Sequence, residues 1–160
     1  MNMIFTLVSE ATLETLAMVG FSTVFSLILG LPLGILLCVT DGETGIMKKP
    51  VLNQVLTRIV NVLRSFPFMI LMILLFPLSR KIVGTSIGTT ATIVPLSIAA
   101  APFVARIIET ALKEVDPGVV QAARAMGSTN MQIIWKVLLP EAMPSLVSGI
   151  TLTIINLIGY

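Results

Sequence analysis

Residues Asp116–Pro140 read DPGVVQAARAMGSTNMQIIWKVLLP and lie between two long apolar segments. Asp116 suits a helix N-cap. Pro117 suits the first helical position, where its missing N–H needs no partner, and Gly127 suits the left-handed residue just past a helix end. These signals predict one short helix over Pro117 to Met126. Thr129 with Gln132 three residues on forms a capping-box pattern, which predicts a second helix from Asn130 until Pro140 forbids its continuation. At about 1.5 Å per residue the first helix is only about 15 Å long, too short to cross a bilayer and marginal alone in water. It therefore needs a surface to pack against. Ala122, Ala123 and Ala125 let another backbone approach closely, and Val119, Ala123 and Met126 fall on one face, as in a helix that sits in a partner's groove. The alternative is an amphipathic linker lying on the membrane surface.

Working outward, the composition places the chain in a membrane. Of 160 residues 56% are hydrophobic and 11% charged, more apolar surface than a soluble domain of this size can hide. Lone Cys38 has no disulfide partner. Histidine is absent, which removes the commonest metal ligand and general base. A net charge of +2 with scattered basic residues gives no nucleic-acid footprint. No secretory signal is expected, because the first Lys is Lys48 and the start carries Glu10 and Glu14. No GxxxxGK[ST] phosphate loop occurs, so an energised process would need its nucleotide site on a separate subunit.

The reading is of an all-α integral membrane protein, a single domain over 1–160 with spans at about 13–40, 56–78, 84–108 and 141–160. The polar loop 116–140 is expected on the cytoplasmic side. In the first span Gly30 and Gly34 flank Pro32 as a small-xxx-small pair that admits a neighbouring helix. Asp41 to Pro50 reads as a loop. The second span begins near Leu56 and is kinked by Pro67. Arg58 and Arg64 lie near one interface, their side chains snorkelling to water; alternatively, Arg64 faces an interior cavity and touches a substrate carboxylate. Gly84 to Gly88 makes a turn. The third span, rich in small residues and containing Pro95 and Pro102, either lines a path or serves packing alone. Glu109 and Lys113 form an i, i+4 pair worth a few tenths of a kcal/mol. The fourth span stops without flanking charge, as expected of a chain truncated within its fourth long helix.

Gln121, Ala122 and Ala123, then Gly127, then Val137, Leu139 and Pro140 resemble the EAA loop of ABC importer permeases: EAA, a glycine four residues after the last Ala, and I-x-L-P after nine more. Spacing matches at every element. Gln121 replaces Glu and removes a carboxylate, and Val137 replaces Ile. Residues 64–88, RSFPFMILMILLFPLSRKIVGTSIG, and 93–112, IVPLSIAAAPFVARIIETAL, are similar to the membrane subunits of methionine uptake transporters. The resemblance implies a type I ABC importer fold and a permease subunit without a nucleotide site of its own. It implies two copies of this chain forming the path for methionine, D-methionine included, and an extracytoplasmic substrate-binding protein. A cytoplasmic ABC ATPase pair would bind ATP and Mg. In that scheme Pro117, Gln121, Ala122, Ala123, Arg124, Ala125, Gly127 and Pro140 couple the chain to the ATPase. An apolar cargo needs a few polar contacts, for which Ser97, Ser148, Thr151 and Asn156 are candidates, although Ser and Thr in membrane helices more often bond to backbone.

Orientation follows from Lys and Arg. Lys48, Lys49, Arg58 and Arg64, with Arg106, Lys113, Arg124 and Lys136, face only Arg80 and Lys81. The positive-inside rule puts the short helices in the cytoplasm and the N-terminus outside. A passive channel, or an ABC permease for another amino acid, fits the same hydropathy. An intramembrane enzyme does not, because the first and third spans lack Asp, Glu and Lys at depth.

Overall fold

The computed structural model describes residues 2–85 and 87–159; Met1, Ser86 in the expected turn and Tyr160 at the end of the expected fourth span lie outside them. All the regular structure described is helical: α1 (Asn2–Val39), α2 (Pro50–Ser65), α3 (Phe68–Val83), α4 (Thr89–Lys113), α5 (Pro117–Ala125), α6 (Asn130–Ile133), a π-helical stretch (Ile134–Leu138), α7 (Leu139–Glu141) and α8 (Met143–Ile158). By length and composition α1 and α4 each suffice to cross a membrane.

Helix α4 is the centre of the molecule, packed against α1, α3, α8 and α2. Its contact with α1 is set by the two glycines. A methyl on Gly30 would lie 2.7 Å from Val104 Cγ1 and 3.1 Å from the Ala101 carbonyl oxygen, and one on Gly34 would lie 2.7 Å from the Ala105 carbonyl oxygen. The two backbones approach closely because no side chain stands between them, as the small-xxx-small reading expects. Pro32 does not break α1, which runs on to Val39. At Gly149 of α8 the close neighbour is instead a side chain, Ile107, which fills the space a Cβ would take.

Pro95 inside α4 is accommodated by a neighbouring helix. Pro95 has no N–H to give the Ala91 carbonyl one turn earlier, and the Ser79 hydroxyl of α3 donates to that oxygen at 2.5 Å instead. Both residues are fully buried, where an unpaired carbonyl would be costly.

Three expectations are corrected. The segment 56–78 is not one helix with a kink: α2 starts at Pro50, and α2 and α3 meet at 103° across Phe66 and Pro67. Pro67 disfavours helical backbone at Phe66, which is extended (ψ 134°), and Val60 of α2 anchors the helix across Leu37 of α1 and Ala105 of α4. The helix expected at 84–108 is displaced to Thr89–Lys113, because Gly84 takes a left-handed φ of 84° and caps α3. Finally, Pro140 does not end the second short helix. In the preceding π-helical stretch the Leu139 N–H bonds the Ile134 carbonyl five residues back, a widened turn that makes room for the Pro140 ring. The bend comes after Glu141, where the rod Asn130–Glu141 and α8 diverge by 67°.

Candidate functional site

The short helices form as their caps dictate. The Asp116 carboxylate accepts from Gly118 N–H at 2.7 Å, and Pro117 occupies the first helical position. Past the end of α5, Gly127 has φ +82°. Its N–H bonds the Arg124 carbonyl at 2.9 Å, and Ser128 N–H bonds the Ala123 carbonyl at 3.1 Å, a Schellman closure. Thr129 and Gln132 cap α6 reciprocally.

Helix α5 presents two faces. Ala123 is buried in the main core with Ile133, Ile134 and Leu138, and Val120 packs against the same cluster. The expected docking face of Val119, Ala123 and Met126 is therefore split: Ala123 points into the chain's own core, whereas Met126 is 79% exposed. Pro117, Gln121, Ala122, Arg124 and Ala125 are exposed, as is Gly127. The outward surface is thus Ala122 and Ala125 with Val119 and Met126 beside them, small side chains rimmed by flexible apolar ones. Pro140 lies beyond this surface, in the rod formed by α6, the π-helical stretch and α7 that leads to α8.

The polar loop between α1 and α2 is a bracket that holds α5 in place. Arg124 donates to the Ile46 carbonyl at 2.9 Å. From the same loop Asp41 accepts from Lys113 of α4 at 2.8 Å and from the N–H groups of Glu43 and Thr44. Lys113, then the Thr44 and Glu43 N–H groups, hold the Asp41 carboxyl well below the usual carboxylate range. Lys113 also pairs with Glu109 at 2.9 Å, and Glu109 with Arg106 at 2.6 Å. The expected Glu109–Lys113 pair is therefore the middle of a four-residue chain whose central carboxylate is buried. The residues concerned lie 72 positions apart, and periodicity carries no signal at that separation.

Between α4 and α8 runs a groove with two chambers. The lower is a cleft of about 560 Å³ bounded by Arg106, Thr110 and Glu114 on α4 and by Ser145, Ser148 and Gly149 on α8. The upper is a cavity of about 190 Å³, walled by Phe66, Phe68, Leu71, Ala99 and Leu157, with the polar Thr153 and Asn156 on its α8 side. Arg64 and Phe103 line both. Of the four polar path candidates, Ser148 and Asn156 line these chambers. Ser97 and Thr151 do not: the Ser97 hydroxyl bonds the Ile93 carbonyl and that of Thr151 the Val147 carbonyl, each one turn back. Ser148 likewise donates to the Pro144 carbonyl.

Residues 30–160 match the family described as the binding-protein-dependent transport system inner membrane component. The chain belongs to this family. It is 50% identical over 157 residues to the probable D-methionine transport system permease protein MetI of Pasteurella multocida (strain Pm70), covering 98% of this chain and 72% of that one. It is 52% identical over 148 residues to the D-methionine transport system permease protein MetI of Escherichia coli (strain K12), covering 92% and 67%. Among solved structures, an inward-facing conformation of the MetNI methionine ABC transporter superposes with a TM-score of 0.96 at 48% identity, over 100% of this chain and 74% of that one. An amino acid ABC transporter at 21% identity, with a TM-score of 0.69 over 97% and 72%, shares the fold. As an inner-membrane component of such a system, the chain is a polytopic helical transport subunit, and the α4–α8 groove and the exposed face of α5 are its two candidate working surfaces.

Proposed function

We propose that this chain is the membrane-spanning permease subunit of an ATP-driven importer of methionine, D-methionine included. Two copies form the path, a separate ABC ATPase pair binds and hydrolyses ATP with Mg, and an extracytoplasmic binding protein delivers the cargo. The N-terminus faces outward and α5 the cytoplasm. The observation that carries this reading is the exposed small-residue face of α5, fixed at both ends by caps and clamped by Arg124 to the loop after α1. Such a rigid stub, held against α4 and the rod that leads to α8, transmits displacement of a gripped partner into the α4–α8 groove. Cargo identity is supported by the D-methionine permeases at about half identity.

The test is uptake of labelled methionine by cells lacking other methionine importers, with and without the gene in full length, followed by reconstitution with the ATPase and binding protein. ATP-dependent uptake is expected. Flux through the reconstituted permease without ATP would support a passive channel instead.

A further inference from the structure

Arg64 stands where the two chambers of the groove meet, lining both the larger cleft and the smaller cavity. The other cation of the cleft is already engaged: Arg106 donates to Glu109 at 2.6 Å and to the Asn61 side-chain oxygen at 2.8 Å. Glu114 accepts from the Ser145 hydroxyl at 2.5 Å. The Arg64 guanidinium has no hydrogen-bond or ion-pair partner among the described residues. An unengaged guanidinium at the mouth of an aromatic-walled cavity is a receptor for an anion, and its planar fork matches a carboxylate through two parallel N–H···O bonds. The cavity beside it holds about 190 Å³, below the roughly 300–1,000 Å³ of drug-sized ligand sites, so it suits a single side chain. Its aromatic walls, Phe66, Phe68 and Phe103, favour an apolar and polarizable occupant.

We propose that Arg64 binds the carboxylate of an apolar amino acid in transit, with the amino acid's side chain in the cavity walled by Phe66, Phe68 and Phe103 and its ammonium group turned toward the cleft. This assignment rests on the reading of the chain as an amino-acid permease. The 103° turn at Phe66–Pro67 brings the last helical turn of α2, with Arg64, to the wall of the α4–α8 groove.

The experiment uses the full-length permease assembled with its ATPase and binding protein in proteoliposomes, measuring initial rates of labelled methionine uptake. Arg64→Gln raises KM at least tenfold at equal amounts of assembled complex, and Arg64→Lys, which keeps the charge and loses the fork, falls between Gln and wild type. Phe103→Trp, which fills the cavity and leaves every charge in place, also raises KM. An unchanged KM in Arg64→Gln overturns the proposal. Should Arg64→Gln not assemble, Phe103→Trp decides, and an unchanged KM there overturns it equally. A wild-type complex that takes up no apolar amino acid refutes the permease reading itself, whereas an active wild type indifferent to Arg64 removes this site alone.

Discussion

Gly34→Ala adds one methyl group at the point where α1 and α4 are closest. That methyl would lie 2.7 Å from the Ala105 carbonyl oxygen and 2.7 Å from Ile108 Cβ, about 0.7 Å short of the 3.4 Å at which ordinary contact begins. Neither obstacle is the tip of a flexible side chain, so the helices themselves must separate, at an overpacking cost of about 1–3 kcal/mol. Ala is intrinsically a better helix residue than Gly by about 0.5–1 kcal/mol, which leaves a net loss of up to about 2.5 kcal/mol, centred on about 1 kcal/mol. For a chain of this size the centre of that range lowers the unfolding midpoint by about 2–4 °C and its upper end by up to about 10 °C. Gly20→Ala in the same helix supplies the control, because a methyl there meets nothing within 4 Å and only the propensity gain remains. Cys38, the one cysteine of the sequence, is buried one turn beyond Gly34, so a thiol-reactive fluorophore reports the parting of α1 from α4 on heating in detergent. The expected order of labelling temperatures is Gly20→Ala at or above wild type and Gly34→Ala below it. If Gly34→Ala labels no earlier than wild type, the claim that backbone approach fixes this helix pair is wrong.

Three further outcomes are expected. Ala122→Arg, on the exposed face of α5, and Gly127→Val, which forces a branched side chain to φ +82°, each reduce co-purification with the ATPase or uncouple hydrolysis from uptake while the subunit stays inserted; unchanged uptake in both refutes the coupling role. Ala123→Arg is not an equivalent test, because Ala123 is 3% exposed within the core and the substitution lowers the amount of folded protein. Ser79→Ala strands the Ala91 carbonyl beside Pro95 and costs about 1–3 kcal/mol, read as an earlier unfolding midpoint with the amount inserted unchanged. The Asp41 carboxyl is held low when folded, so its link to Lys113 contributes fully above the unfolded value near 3.9 and is lost as pH falls below that value through the folded one. Both partners are partly exposed, which limits the contribution to about 1 kcal/mol. Protease nicking of residues 41–49 should therefore stay flat from pH 8 to 5 in wild type, and Asp41→Asn should raise it at pH 7.

Local chemistry was legible from the residues alone. Asp116, Pro117 and Gly127 bounded α5, Thr129 and Gln132 capped α6, and Gly30 and Gly34 marked a close helix contact, since caps and glycine spacings act over one or two turns and need no knowledge of the rest of the chain. The uncharged runs likewise announced membrane helices, and the spacing from Gln121 to Pro140 pointed to the family. Which way each residue faces, and what it meets, was decided by packing. Nothing local distinguishes Ala123, turned into the core, from Ala122, turned out. The Ser79 hydroxyl found the carbonyl that Pro95 leaves free only because α3 folds back onto α4, and Arg64 reached the groove only because α2 turns sharply at Phe66–Pro67. Helical periodicity fixes a side chain's angle about its own axis, whereas its neighbours are chosen by how separate helices close against one another.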